Sequence, residues 1–213
     1  MSKIVLFQGD SITDALRSRE NDIYRGNGYP TLVSGRLGMD QPGEYSFLNR
    51  GISGNRIVDL YARIKCDFIN LKPDVLSILI GVNDVWHEIG NGNGVAAEKF
   101  EMVYDLLLSE LQQTLPNVKL LILEPFVLQG SATENCEERP TRWEYFQSEV
   151  PLRAEAAKRV AEKHNAVFVP LQERFDKVCK KAPAAYWLHD GVHPTAMGHE
   201  LIARAWMEGF EKL

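Results

Sequence analysis

Only three cysteines occur in the 213 residues, Cys66, Cys136 and Cys179. Their odd number and wide separation exclude a disulfide framework and offer no metal-type spacing, so they read as buried or incidental free thiols. Basic residues are not in excess either. Twenty-four Lys and Arg against 29 Asp and Glu leave a formal net charge of -5, which supplies no cationic stripe for nucleic acid. No apolar run approaches membrane-spanning length, and Met1-Ser2-Lys3 leads straight into an apolar segment without a cationic leader and cleavage site. The expectation is a cytoplasmic protein with no nucleic-acid or membrane partner. Internal repeats, low-complexity tracts and hinge-like linkers are also lacking, so a single domain over residues 1–213 is expected. A Gly-x-x-x-x-Gly-Lys phosphate loop is missing, which argues against a nucleotide-binding module. The missing Gly-x-Ser-x-Gly elbow argues against the α/β-hydrolase fold.

What the chain does have is alternation of strand and helix patterns. Residues 4–7, 45–49, 75–80, 120–123 and 166–169 are short apolar runs, several without alternation, as in strands buried on both faces of a parallel sheet. Between them lie helical stripes. Leu32, Val33 and Leu37 form one, Ile57, Leu60, Tyr61 and Ile64 another, and the longest runs from Ala97 through Phe100, Tyr104, Leu107 and Leu111 to Leu115. A further helix is expected to open near Pro151, with Leu152, Ala156, Ala157, Val160 and Ala161 on its face. The last carries Leu201, Ile202, Ala205, Trp206 and Phe210. Five strands alternating with helices predict an α/β protein, a three-layer α/β/α sandwich around a five-stranded parallel sheet. Residues 125–142 form an unusually long polar connection, a candidate for an active-site wall. With the aromatic residues at 143–146, it is also a candidate surface for homo-oligomer contact.

In such a sheet ligands bind beyond the carboxyl ends of the strands, and four groups of residues fall there. Gly9-Asp10-Ser11 follows the first strand and delivers a hydroxyl; Gly54 follows the second and Asn83 the third. Taken singly, Gly-Asp-Ser is a common turn, Gly54 a loop glycine and Asn83 a turn or cap residue. Asp190 and His193 sit three residues apart in a loop that Gly191 and Pro194 keep from being helical, close enough for the carboxylate to fix the imidazole tautomer. The plain alternative there is a turn followed by a helix start. Their coincidence at one sheet edge supports a serine esterase in which His193 takes the proton of Ser11, Asp190 orients His193, and the Ser11 and Gly54 amides and the Asn83 side chain hold the oxyanion. Of the other histidines, His164 falls on the exposed side of a helix and His199 inside the last helix, in a structural role. His189, Asp190, His193 and His199 do not make a metal site on this reading, because Gly191 and Pro194 break the helix an i, i+4 pair needs. No cofactor is required.

The blocks Gly9-Asp10-Ser11, Ile52-Ser53-Gly54-Asn55, Gly81-Val82-Asn83-Asp84 and Asp190-x-x-His193 resemble, in order, those of the SGNH (GDSL-type) hydrolases, with Ile12 where leucine is usual. That family resemblance implies a flavodoxin-like fold, the triad Ser11, Asp190 and His193, and an oxyanion hole from Ser11, Gly54 and Asn83. The longer matches at residues 7–14, 81–87 and 186–193 are most similar to the intracellular acetylxylan esterase branch, which implies an acetylated xylo-oligosaccharide as substrate. Broad short-chain carboxylesterase, lysophospholipase or thioesterase activity is the alternative within the family. Asp10, Trp86 and Trp187 are the candidate substrate-binding residues, the tryptophans as an aromatic floor for a sugar ring or, equally, as core. Asp14 and Arg17 are expected to brace the nucleophile loop.

Overall fold

The computed structural model describes residues 2–213. Among them one sheet forms, from β1 (Lys3–Gly9), β2 (Tyr45–Asn49), β3 (Val75–Leu79), β4 (Lys119–Leu123) and β5 (Val167–Val169). All four pairings are parallel and the order is β2-β1-β3-β4-β5, the flavodoxin-like arrangement expected. Helices α1 (Ser11–Asp14), α2 (Tyr29–Asp40), α3 (Ile57–Ala62), α4 (Ile64–Asp67), α5 (Val82–Asn91), α6 (Ala97–Thr114), α7 (Arg142–Lys163), α8 (Gln172–Cys179), α9 (Ala184–Trp187) and α10 (Ala196–Phe210) complete the chain.

The period-2 geometry of the strands divides their side chains between two cores. Val5, Phe7, Val75, Leu79, Leu121 and Leu123 face α2, α8 and α10, whereas Leu6, Leu76, Ile78, Leu120 and Ile122 face α3, α6 and the second half of α7. Both faces are thus covered, which is why these strands read as continuous apolar runs. One polar group interrupts the first core. The buried Ser77 hydroxyl on β3 accepts a 2.8 Å bond from the Trp206 indole N–H, and the Trp206 ring stacks on Phe210.

Four expectations need correction. Helix α7 opens at Arg142 rather than near Pro151, and the proline sits inside it on the exposed side, where a missing N–H costs least. Because the helix starts earlier, Phe146 is fully buried instead of contributing an exposed aromatic surface, while Leu152 is 41% exposed and not part of the apolar face. His164, expected on an exposed side, is buried with one ring nitrogen 2.7 Å from Gln112 Oε1 and the other 2.8 Å from Asp105 Oδ1.

Replacing Trp206 by Phe keeps the ring but removes the donor to Ser77. Urea unfolding is expected to show a loss of about 1–3 kcal/mol, with the midpoint falling and the slope unchanged.

Candidate active site

Strand β1 ends in a backbone approach that only glycine permits. Gly9 has φ +153°, and a Cβ there would lie 2.3 Å from the Leu79 carbonyl oxygen of β3 and 2.4 Å from Thr13 Oγ1. The chain then turns into the single turn of α1. Asp10 caps it, its Oδ1 accepting from the Ile12 N–H at 2.9 Å, and Ser11 is the first helical residue. Helix starts leave N–H groups without an intrahelical partner, so the Ser11 amide points outward as a donor. After one turn Ala15 and Leu16 both adopt left-handed conformations, φ 40° and 64°, and the helix stops.

The Ser11 hydroxyl meets a hydrogen-bonded chain from the far end of the sequence. Ser11 Oγ lies 2.9 Å from His193 Nε2, and His193 Nδ1 lies 2.7 Å from Asp190 Oδ2. The other Asp190 oxygen accepts the Val192 and His193 backbone N–H groups at 2.9 and 2.7 Å. Burial opposes the Asp190 charge, but the His193 ring and these two amides outweigh it and hold the carboxyl well below its usual range. In turn the hydrogen bond to Asp190 raises His193 above 6.5, against the effect of burial. Asp190 thus stays ionised and holds the proton on Nδ1, leaving Nε2 to accept from Ser11.

The remaining elements of the predicted constellation follow the two strands that flank β1. Gly54 lies in the loop after β2, and Asn83 in the first turn of α5, directly after β3, donates its Nδ2–H to the Asn55 carbonyl at 3.2 Å. Two buried carboxylates fix these loops. Asp14 accepts from Arg19 Nη2 at 2.5 Å and from the Ser53 amide at 3.0 Å, tying the nucleophile turn to the Gly54 loop; its predicted bracing role stands on this contact. Asp84 accepts from the Ile57 N–H at 3.1 Å, tying the same loop to α5; burial raises its pKa well above the ordinary value. Arg17 also braces, its Nε donating to the Gly51 carbonyl at 2.8 Å.

These four blocks fall within residues 7–201, the span that matches the GDSL-like lipase/acylhydrolase family. The chain belongs to that family. It is 36% identical to an acetylxylan esterase of Geobacillus stearothermophilus, over 97% of this chain and 94% of that protein. A crystal structure of an acetylxylan esterase from the same organism superimposes with a TM-score of 0.81 at 33% identity, covering 97% of this chain and 93% of that one. A protein of Parabacteroides merdae assigned to the GDSL-like lipases superimposes with a TM-score of 0.90 at 37% identity, covering 99% of this chain and 97% of that one. The protein is a carboxylic ester hydrolase.

Around this GDSL-family site the three predicted substrate contacts separate. Trp86 stands next to His193, ring centroids 5.8 Å apart, with Phe146 packed edge-on behind it at 5.9 Å. Trp187 does not share that place. Its indole donates to the Ala182 carbonyl and its side chain lines a different cavity of about 800 Å³ between α8 and α10. Asp10 is 1% exposed and engaged in capping α1, a placement that suits holding the turn rather than contacting substrate; burial lifts its pKa to about 7, against the pull of the Ile12 N–H and the His193 charge. The cavity at the nucleophile measures about 510 Å³ and is lined by Ser11, Ile12, Leu16, Ser53, Pro194 and His199. His199 has the structural role expected: buried, and held neutral by that burial at a pKa of about 4, it accepts the Tyr29 N–H at 3.2 Å.

Two positioning residues escaped the sequence reading. Arg63 spans the ends of β1 and β2, donating to Gln8 Oε1, the Arg50 carbonyl and Asn55 Oδ1 at 2.9–3.0 Å. Thr133 belongs to the long 125–142 connection, which does form a wall behind the acid: Leu128 N–H donates to the Gly191 carbonyl and Ala132 N–H to the Asp190 carbonyl, both at 2.9 Å. Its buried hydroxyl donates to the Leu128 carbonyl at 2.7 Å and accepts the Gly130 N–H at 2.9 Å. The fit is so close that a Cβ on Gly191, which has φ +98°, would lie 2.6 Å from that hydroxyl. Only length, polarity and irregularity marked this loop in the sequence.

Thr133→Val keeps the volume and removes both bonds. It is expected to lower kcat by about ten- to a hundredfold through displacement of Asp190, with little change in KM. Thr133→Ser should restore the rate; a raised KM with kcat intact would contradict the positioning role.

Proposed function

We propose that the protein is a serine esterase that removes acetyl groups from acetylated carbohydrate, with xylo-oligosaccharides as substrate, through an acyl-enzyme. The observation that carries the mechanism is the unbroken Ser11–His193–Asp190 chain of 2.9 and 2.7 Å bonds. His193 Nε2 takes the Ser11 proton as Oγ attacks the ester carbonyl carbon. The Ser11 and Gly54 amides and the Asn83 side chain then hold the negative oxygen, and the sugar hydroxyl leaves with the proton from His193. Water repeats the sequence on the acetylated Ser11 and releases acetate.

The substrate rests on the 36% identity to an acetylxylan esterase and on Trp86 standing beside the base, an apolar wall that suits a small acyl group or a sugar face. A second reading, a broad short-chain carboxylesterase, lysophospholipase or thioesterase, draws on Leu16, an 85% exposed apolar side chain at the cavity by the nucleophile. The oligosaccharide or other ester is the only partner this chemistry needs. We place the protein in the cytoplasm, where small imported oligosaccharides are its target.

The experiment that separates the readings measures acetate release from acetylated xylo-oligosaccharides against hydrolysis of long-chain aryl esters and acyl thioesters. The expected outcome is preference for the acetylated sugar. Ser11→Ala is expected to abolish turnover on both classes, and Asn83→Ala to cost about a hundred- to thousandfold in kcat.

The base must be neutral to act, and Asp190 raises its pKa, so kcat/KM is expected to climb with pH through the His193 ionisation, lying above 6.5. Asp10 adds a smaller push in the same direction. Asp10→Asn keeps the cap acceptor but loses that charge, and should move the limb to lower pH; a limb that stays or moves up would exclude the contribution of Asp10.

A further inference from the structure

We propose that His189, Asp190 and His193 form a divalent-cation site, of the kind zinc fills, through which the metal switches the esterase off. One ligand atom from each of the three lies within 4.8 Å of the others. His189 Nε2 is 3.7 Å from Asp190 Oδ2, and His193 Nδ1 is 2.7 Å from the same oxygen. Tetrahedral zinc, with bonds of about 2.0–2.1 Å, sets neighbouring ligand atoms about 3.3 Å apart, between these two separations. Two imidazoles and a carboxylate are a donor set that zinc prefers, and three protein ligands leave one position for water.

The backbone presents these groups without a helix. His189 N–H donates to the His193 carbonyl at 3.0 Å, and Leu188 and Pro194 pair as an antiparallel bridge, so residues 189–193 form a closed loop. The two imidazoles lie on the same side of it, 25° from parallel with centroids 5.8 Å apart. Asp190 Oδ1 is occupied by two backbone amides, which leaves Oδ2 to take a metal. His189 is 61% exposed, so the ion reaches it from solvent and its ring turns without disturbing the core.

The inhibitory step follows from the proton count of imidazole and rests on His193 as the base. A neutral ring carries one proton. Without metal that proton is on Nδ1, in the bond to Asp190, and the Nε2 lone pair faces Ser11 Oγ. A cation bonded to the Nδ1 lone pair moves the single proton to Nε2. Nε2–H then donates to Ser11 Oγ and has no lone pair to accept its proton. The Asp190–His193 hydrogen bond is exchanged for two metal bonds, and nothing is oxidised or reduced.

Two measurements test this. Calorimetric titration of Zn²⁺ into the Ser11→Ala protein is expected to show one site that weakens by about tenfold or more when His189→Gln is added. In the catalytically intact protein, Zn²⁺ is expected to inhibit ester hydrolysis reversibly with EDTA. His189→Gln should raise the inhibitory concentration by a similar factor, each protein being compared with its own EDTA-treated rate. Equal zinc affinity with and without His189, or no binding, overturns the site while leaving the esterase mechanism standing. His189-dependent binding with no loss of rate overturns the switch and counts against His193 as base.

Discussion

The structure hangs on the register between β1 and its two neighbours. Phe7 opposite Asn49 and Gly9 opposite Leu79 set where three parallel strands stop relative to one another. Because all three run the same way, their following turns leave the sheet at one edge and cannot avoid each other. Ser11, Gly54 and Asn83 converge there without any of them reaching across the molecule. Moving β1 by one residue would send Val5 and Phe7 to the opposite core as well as displacing the nucleophile. Packing and chemistry therefore enforce the same alignment.

What holds the three turns in place is hydrogen bonding to buried carboxyl groups rather than apolar contact. Asp10, Asp14 and Asp84 are all almost fully inaccessible; Asp10 accepts the Ile12 N–H of its own turn, whereas Asp14 and Asp84 accept the Ser53 and Ile57 N–H groups beyond β2. A buried carboxylate left unpartnered would be costly, so each loop position that satisfies one is fixed in direction and not merely in distance. Their environments differ. Arg19 and the Ser53 amide, acting against burial, keep Asp14 charged, whereas burial dominates at Asp10 and Asp84. Hydrogen-bonded rigidity of this kind suits a site whose donors must be in place before the oxyanion forms.

The strands and their order were legible because both faces of the sheet are covered, so burial wrote itself into apolar runs such as residues 120–123. The Ser11, Gly54, Asn83, Asp190 and His193 positions were legible because each lies at a strand end or within one tight turn. What remained hidden depends on distant partners. His164 looks like a surface histidine until Asp105 and Gln112, more than fifty residues earlier in the chain, are brought against it by α6. Arg63 and Thr133 act through backbone carbonyls and amides, which carry no residue signature. Asp10 looks like a substrate contact beside Ser11, although at that position its own side chain is needed to start α1. Pro151 was read as a boundary, yet a proline on an exposed flank interrupts a 22-residue helix without ending it.

Acid and base come from one turn near the end of the chain, whereas the nucleophile stands 182 residues before the base. The two halves have different histories during synthesis. Ser11 follows the first strand and is made before the other four. The Asp190–His193 turn comes after the fifth strand, and it docks through α10, whose Trp206 bonds to β3 and whose His199 receives the Tyr29 amide of α2. Under the proposed mechanism, a chain that lacks this segment has a serine with no base. Hydrolytic competence then awaits the docking of a segment 182 residues away, which makes activity a report on that late docking as much as on the sheet.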